Sequence, residues 1–224
     1  MRIAWEILRL SRGPGRLRSD EYFLHGAWQP GLTHAERREF VGRYANRALN
    51  RSLNPPFVTG EVSPVVDKLR TREIFAAAGL PQPETRAVAA TAAPGGGLRW
   101  LEDEAAILAF LREPGAVPCF GKPVHGSLGA GAVSILDIDA EGRLLLGNGT
   151  RVPAAELAAE IWRDHHKGFL FQELVQPCAE LETMIGPVIG TLRVVTTDAG
   201  TGPQVLYATL KTPGAKAMVD SAAG

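Results

Sequence analysis

The stretch Phe120-Gly121-Lys122-Pro123-Val124-His125-Gly126-Ser127-Leu128-Gly129-Ala130-Gly131-Ala132-Val133 decides the reading of this chain. A lysine ends one apolar run, a loop with three glycines follows, and a second apolar run begins. Val117–Lys122 and Ala132–Leu136 therefore read as strands flanking a glycine-rich loop. Glycine lets backbone approach a ligand and turn successive N–H groups inward, which makes a nest for an anion. Lys122 adds a compact positive charge suited to phosphate. Three better-known glycine loops do not fit. The spacing from Gly115 to Gly121 is one residue too long for a P-loop, and Pro123 stands where its metal-binding hydroxyl belongs. A dinucleotide fingerprint needs its glycines to open a helix, whereas a strand follows here. A protein kinase carries its lysine after the loop rather than before it. The plain alternative is a hairpin with a flexible turn.

Working outward, Leu101–Leu111 and Ala154–His166 read as helices. Gly168–Val175, Gly190–Thr197 and Gln204–Lys211 read as strands, the last two joined through Asp198-Ala199-Gly200-Thr201-Gly202. Asp139–Gly142 is a turn into Arg143–Leu146. Upstream, Ser63-Pro64 and Asp67-Lys68 open a helix that Gly79 stops, and Thr85–Ala90 is extended. Nearer the N-terminus, Ile3, Ile7 and Leu10 share a helical face. Thr33 and Glu36 form a capping box for a helix running to about Asn50, ahead of Asn54-Pro55-Pro56. Helices first, then mixed strands and helices, indicate an α/β or α+β chain. We expect a helical leader over 1–60, a glycine-loop subdomain over 61–170, and part of a second subdomain over 171–224.

Composition narrows the function classes. Of the 224 residues, 45% are hydrophobic and 21% charged, as in ordinary globular proteins. No run approaches the roughly 20 apolar residues of a membrane span, and the N-terminal stretch is broken by Arg2, Glu6 and Arg9. Two cysteines, Cys119 and Cys178, without a Cys/His cluster disfavour a disulfide scaffold or structural zinc and suit a reducing cytoplasm. The net charge of zero hides an asymmetry: residues 1–51 carry ten arginines against five acids, and the rest carries the compensating acidic excess. Docking of this basic arm on the acidic remainder explains it most simply. Nucleic acid and anionic lipid are alternatives without a supporting motif.

Other segments suit a nucleotide. Phe169-Leu170-Phe171-Gln172-Glu173-Leu174-Val175 is an apolar strand with a polar end. Backbone just beyond it can pair with an adenine edge, Glu173 can reach an exocyclic amine, and Glu180 can reach ribose hydroxyls. A solvated surface carboxylate is the competing reading for Glu180 and Glu182. Arg193 sits on a strand face with Thr191 and Val195 and suits either a transferring phosphoryl group or a surface pair with an acid. Three of the five lysines, Lys68, Lys122 and Lys211, fall in these segments. His165-His166 diverge by about 100° on a helix and do not share a metal.

Taken in order, these pieces resemble the ATP-grasp superfamily. The landmarks are Asp67-Lys68 with Gly79-Leu80-Pro81-Gln82-Pro83, then Gly121-Lys122-Pro123 with its loop, Gln172-Glu173-Leu174-Val175, and Thr191-Leu192-Arg193-Val194-Val195-Thr196. Glu173–Thr197 is similar to the sugar-transfer-associated, glutamate-ligase-related group, whose helical leader Glu21-Tyr22-Phe23 and Glu39-Phe40-Val41-Gly42 resemble. The resemblance implies two mixed-sheet subdomains that hold ATP. Lys68 and Lys122 would contact phosphates, with Gly126, Ser127, Gly129 and Gly131 closing over them. Glu173 and the Val175 backbone would hold adenine, Glu180 ribose, and Arg193 and Lys211 would face the phosphates or an acyl-phosphate. It further implies an ATP-dependent carboxylate–amine ligase acting on a small carboxylate, with magnesium. The magnesium ligands of that family are not found after Lys211, and Asp220 is a poor substitute. The expectation is therefore a truncated C-terminal part or a non-catalytic nucleotide-binding or scaffolding relative, with no metal ligand assigned.

Overall fold

The structure is a computed structural model describing residues 2–53, 66–126, 129–198, 200–214 and 217–218. The expectations placed on Asn54-Pro55-Pro56, Ser63-Pro64, Ser127, Ala199 and Asp220 lie outside the described residues. The chain divides into two compact units, Met1–Ser63 and Pro64–Gly224.

The first unit is helical: α1 (Arg2–Arg12), α2 (Ser19–Leu24), α3 (His34–Glu39) and α4 (Arg43–Leu53). Its small core joins Leu10, Leu17, Tyr22 and Ala27, with Ile7 and Phe40 packed against it. The Thr33–Glu36 capping box forms as expected, with the Thr33 hydroxyl accepting from the Glu36 N–H and the Glu36 carboxylate accepting from the Thr33 N–H at 2.6 Å. The single helix expected from Thr33 to about Asn50 is instead two. Phe40 adopts an extended conformation, and a Cβ on Gly42 would lie 2.5 Å from Glu21 Oε2 and 2.6 Å from the Arg16 carbonyl oxygen. Chain crowding therefore bends the backbone there, and Glu21 restarts the helix by accepting from the Arg43 N–H (2.8 Å) and Nε (2.9 Å). Glu21 also accepts from the Arg18 N–H at 3.0 Å. Arg37, likewise buried, donates to the carbonyls of Ala27, Leu32 and Gln29 and pairs with Glu6.

The second unit is built on a seven-stranded mixed sheet in the order β2-β1-β7-β3-β4-β5-β6. The strands are β1 (Thr85–Ala89), β2 (Trp100–Leu101), β3 (Cys119–Pro123), β4 (Val133–Ile138), β5 (Arg143–Leu146), β6 (Arg151–Pro153) and β7 (Phe169–Glu173). Only the β1–β2 pair is parallel. Helices α6 (Glu104–Leu111) and α7 (Ala154–His165) bury one face of the sheet. There Ile107, Phe110, Leu111, Leu157, Ala158 and Ile161 meet Cys119, Ile135, Phe169 and Phe171. Each such aromatic side chain contributes about 2–3 kcal/mol of burial. The helix expected from Leu101 begins only at Glu104, because Trp100 and Leu101 pair with Val88 and Ala89 and the Asp103 carboxylate caps the Ala106 N–H at 2.7 Å. Strand β6 was not expected; three residues of mixed polarity give no alternation to read.

Helix α5 (Lys68–Ala77) starts at Asp67, whose carboxylate accepts from the Leu69 and Arg70 N–H groups. Past β7 come α8 (Ala179–Ile185) and an antiparallel two-stranded sheet, β8 (Thr191–Asp198) with β9 (Pro203–Lys211). The coarse expectation of mixed strands and helices agrees with this architecture.

Three donors hold Glu21, chiefly the Arg18 and Arg43 backbone N–H groups and then the Arg43 guanidinium, and they lower its pKa from 4.5 to about 2. A carboxylate depressed in the folded state stabilises above its unfolded pKa and loses that contribution as pH falls through the folded value. The first unit is therefore expected to lose stability between about pH 5 and pH 2. Glu21→Gln is expected to lower stability at pH 7 and flatten that acid dependence. Thermal unfolding followed by circular dichroism across this range checks both.

Candidate functional site

Strand β3 alternates. Cys119, Gly121 and Pro123 face the helices, and Phe120 and Lys122 face the other side of the sheet. Its antiparallel register with β7 sets Phe120 opposite Gln172 and Lys122 opposite Leu170, and register partners share a face. Phe120 also pairs with Ser134 of β4. Phe120, Lys122, Ser134 and Gln172 floor a cleft of about 500 Å³ whose walls include Pro83, Glu173, Leu174, Val175, Ile189, Thr191 and Met218. Gly121 is forced by the opposite face, since a Cβ there would lie 2.6 Å from the Phe169 ring.

Lys122 is half-buried, with its ammonium 5.6 Å above the Phe120 ring. Among the described residues no carboxylate pairs with it. Burial, and then the charge of Lys68, hold its pKa below the ordinary lysine range. Lys68, in the first turn of α5, is tethered through Nζ to the carbonyls of Val124 and Gly126, each at 3.2 Å. Burial lowers its pKa too, with Asp67 opposing. The tether continues along the backbone, where the Lys68 N–H donates to the Val124 carbonyl at 3.2 Å and Asp67 bridges His125. Two partly dehydrated cations near each other, with Asp67 beside only one of them, make this a region of positive charge.

Gln172 supplies the second signal. It is 7% exposed, its Nε2 donates to Thr85 Oγ1 at 3.2 Å and to the Pro83 carbonyl at 3.5 Å, and its Oε1 is buried with no partner among the described residues. The Pro83 carbonyl, which can only accept, orients Nε2 toward it, which leaves Oε1 without a partner at the cleft. Buried polar groups are rarely left unpaired. Just beyond, the Leu174–Gln176 backbone lines the cleft with no protein hydrogen-bond partner among the described residues.

The structure thus brings Lys122, Glu173 and Val175 into one cleft, while Lys68 lies near Lys122 without lining it. Glu173 is partly committed, because its Oε1 accepts from the Glu84 N–H at 3.1 Å while its own N–H donates to the Glu84 carbonyl. Gly126 is reached through the Lys68 tether. Gly129 and Gly131 are exposed and do not line the cleft. Gly131 is at positive φ, and a Cβ there would lie 2.7 Å from His165 Nε2, so the far side of the loop rests against the end of α7. His165 itself stacks on Phe169, with centroids 5.5 Å apart. Glu180 is exposed on α8. Arg193 is exposed on β8, and neither it nor Lys211 lines the cleft. Both share a hairpin face with Thr191, which does: Thr191 is opposite Lys211, and Arg193 is opposite Thr209. Gln172 was passed over in sequence because a lone glutamine in an apolar strand has a dozen ordinary uses. Its position one residue before Glu173 was the available signal.

Among the described residues no group of three or more His, Cys, Asp or Glu side chains could hold a metal ion, and no step is derived through one. Among them, too, no helix is long and apolar enough to cross a membrane. Compared with known proteins, the chain matches no protein-family model and no curated protein.

Because Lys122 carries an uncompensated charge in a partly dehydrated place, Lys122→Met is expected to raise the stability of the ligand-free protein by about 1 kcal/mol while removing anion binding. A melting temperature at pH 7 that falls instead would show that the ammonium is held favourably.

Proposed function

We propose that the cleft binds a nucleoside triphosphate, with ATP the preferred form, in an ATP-grasp-like arrangement. The observation that carries this reading is a cleft that holds Lys122, without a carboxylate partner among the described residues, beside the orphan acceptor of Gln172, with Lys68 near Lys122. The lysines suit the phosphates. The free backbone at 174–176 and the fixed Gln172 Oε1 suit a flat base that offers an N–H donor on its edge, as the adenine amino group does. The apolar floor, Phe120 and Leu136, suits the base face.

On this reading the wider activity is ATP-dependent ligation. A carboxylate oxygen of a small acid attacks the terminal phosphorus, ADP leaves, and an amine then displaces phosphate from the acyl-phosphate. Positioning and charge supply most of the acceleration in such a step. Arg193 and Lys211 would approach from the hairpin face that carries Thr191. A second reading, nucleotide binding without turnover, is favoured by the exposure of Arg193 and its place outside the cleft lining. Formation of ADP in the presence of candidate carboxylates separates the two. Cys119 and Cys178 are both free thiols, which supports a reducing compartment such as the cytoplasm.

A non-hydrolysable ATP analogue is expected to raise the melting temperature by several degrees once it is well above its Kd; a hundredfold excess stabilises by about 2.7 kcal/mol. Lys122→Ala is expected to abolish the shift, and an unmoved wild-type transition at millimolar analogue would sink the proposal. Gln172→Leu removes an unpaired acceptor together with the Nε2 bonds to Thr85 and Pro83, so ligand-free stability is expected to fall by no more than about 1 kcal/mol. The substitution should also shrink the advantage of ATP over GTP about tenfold or more. Equal discrimination in the variant, measured by calorimetric titration, would remove Gln172 from base recognition. Binding is also expected to weaken with rising pH, beginning below the usual lysine range of about 10.4, because both lysines titrate early.

A further inference from the structure

The first unit contains a groove of its own. It measures about 300 Å³ and is lined by Trp5, Leu8, Arg9, Arg12, Gly13, His34 and Arg38. On α1 the positions 5, 8, 9 and 12 fall at helical spacing and form one stripe, all of it exposed. Arg38 and His34 enter from α3. The groove therefore combines an indole, a leucine, an imidazole and three guanidinium groups, and among the described residues no carboxylate lines it.

Among the described residues of this unit, no acid pairs with the three arginines of the groove. Of the five acids in residues 1–51, Glu6 is engaged by Arg37 and by the Tyr22 hydroxyl. Asp20 and Glu21 are engaged by Arg43 and Arg18, and Glu36 closes the Thr33 capping box. Only Glu39 is uncommitted among the described residues. The side chains of Arg9, Arg12 and Arg38 have neither an ion pair nor a hydrogen bond to any described residue. Arg9 and Arg12 lie in the last turn of α1 and complement its C-terminal dipole, but that explains neither Arg38 nor the concave arrangement over Trp5.

We infer that this groove is a binding site for a phosphomonoester attached to an apolar or aromatic group. Planar guanidinium forks match the several oxygens and double charge of a phosphomonoester better than a single carboxylate does. Trp5 and Leu8 provide a wall for what the phosphate is attached to. The same headgroup chemistry occurs on a free small molecule and on a phosphatidic acid surface. The inference is independent of the nucleotide cleft in the second unit.

The test uses the full chain and site-specific NMR signals of the arginine Nε–H groups, titrated with phenyl phosphate and with inorganic phosphate. The expected result is that Arg9, Arg12 and Arg38 signals shift, with phenyl phosphate bound about fivefold or more tightly than inorganic phosphate. Trp5→Ala should cancel that preference and leave inorganic phosphate binding intact. Arg9→Gln combined with Arg38→Gln should weaken both ligands about tenfold or more, and Arg47→Gln, on α4 outside the groove, should weaken neither. These variants change exposed side chains, and circular dichroism confirms that each remains folded. Retention on phosphatidic acid vesicles but not on phosphatidylglycerol vesicles, lost in the double variant, assigns the phosphate to a lipid headgroup. Phenyl phosphate binding without vesicle retention assigns it to a free molecule. The inference is overturned by unmoved groove arginines at about 20 mM phenyl phosphate, or by an equal effect of Arg47→Gln. It is equally overturned by a phenyl preference that survives Trp5→Ala, or by equal retention on both vesicles without phenyl phosphate binding.

Discussion

The antiparallel pairing of β3 with β7 is the constraint from which the rest of the second unit follows. Five residues of each strand are in register, from Cys119 opposite Glu173 to Pro123 opposite Phe169. That register sends Cys119, Gly121, Phe169 and Phe171 into the helix-covered core and leaves Phe120, Lys122 and Gln172 on the open face. Because side chains alternate strictly, a slip of one residue would bury the lysine among α6 and α7 and put phenylalanines in the cleft. The cost of dehydrating an ammonium and the gain of burying two aromatic rings both select the observed pairing. The same choice that stabilises the core therefore also places the cationic and amide groups side by side.

A second dependence runs through 124–126. The α5 N-terminus is joined to this segment by backbone and by Lys68 Nζ, so the position of one lysine is set by the strand that carries the other. Like charges are brought near one another by backbone hydrogen bonds, by the Lys68 ammonium on two carbonyls and by apolar packing. Their mutual repulsion is tolerated because a capped helix, a strand end and a hydrophobic contact of Leu69 with Val88, Val124 and Leu170 hold the frame.

Much of this frame was legible in the sequence because it rests on local rules. The Thr33 capping box, the Asp67 start of α5, the apolar run Phe169–Phe171 and the Asp198 turn all depend on neighbouring residues, and each is present. The break at Phe40–Gly42 was not legible, because it depends on Glu21 and Arg16 crowding a glycine from a distance in sequence. The start of α6 was missed because Trp100 and Leu101 satisfy a helical pattern as readily as a strand, and pairing with Val88 and Ala89 decides between them. In the cleft, Lys122 and Val175 stood out by residue type and position. Gln172 did not, since what distinguishes it is an oxygen left without a partner, which exists only once Thr85 and Pro83 have taken the amide nitrogen. Arg193 read as inward-capable, yet alternation alone cannot tell which face of a hairpin meets a cavity.

The β8–β9 hairpin differs in character from the seven-stranded sheet. Leu192, Val194, Val205, Leu206 and Tyr207 are all largely exposed, and among the described residues each strand has a neighbour on one side only. A two-stranded ribbon of this kind draws little from burial and is marginal by itself. Its outer amides are therefore expected to exchange with solvent far sooner than those of β3 and β7, placing the ribbon at the low end of the chain's local unfolding free energies. Arg193 and Lys211 thus ride on a ribbon expected to open sooner than the large sheet that carries Lys122.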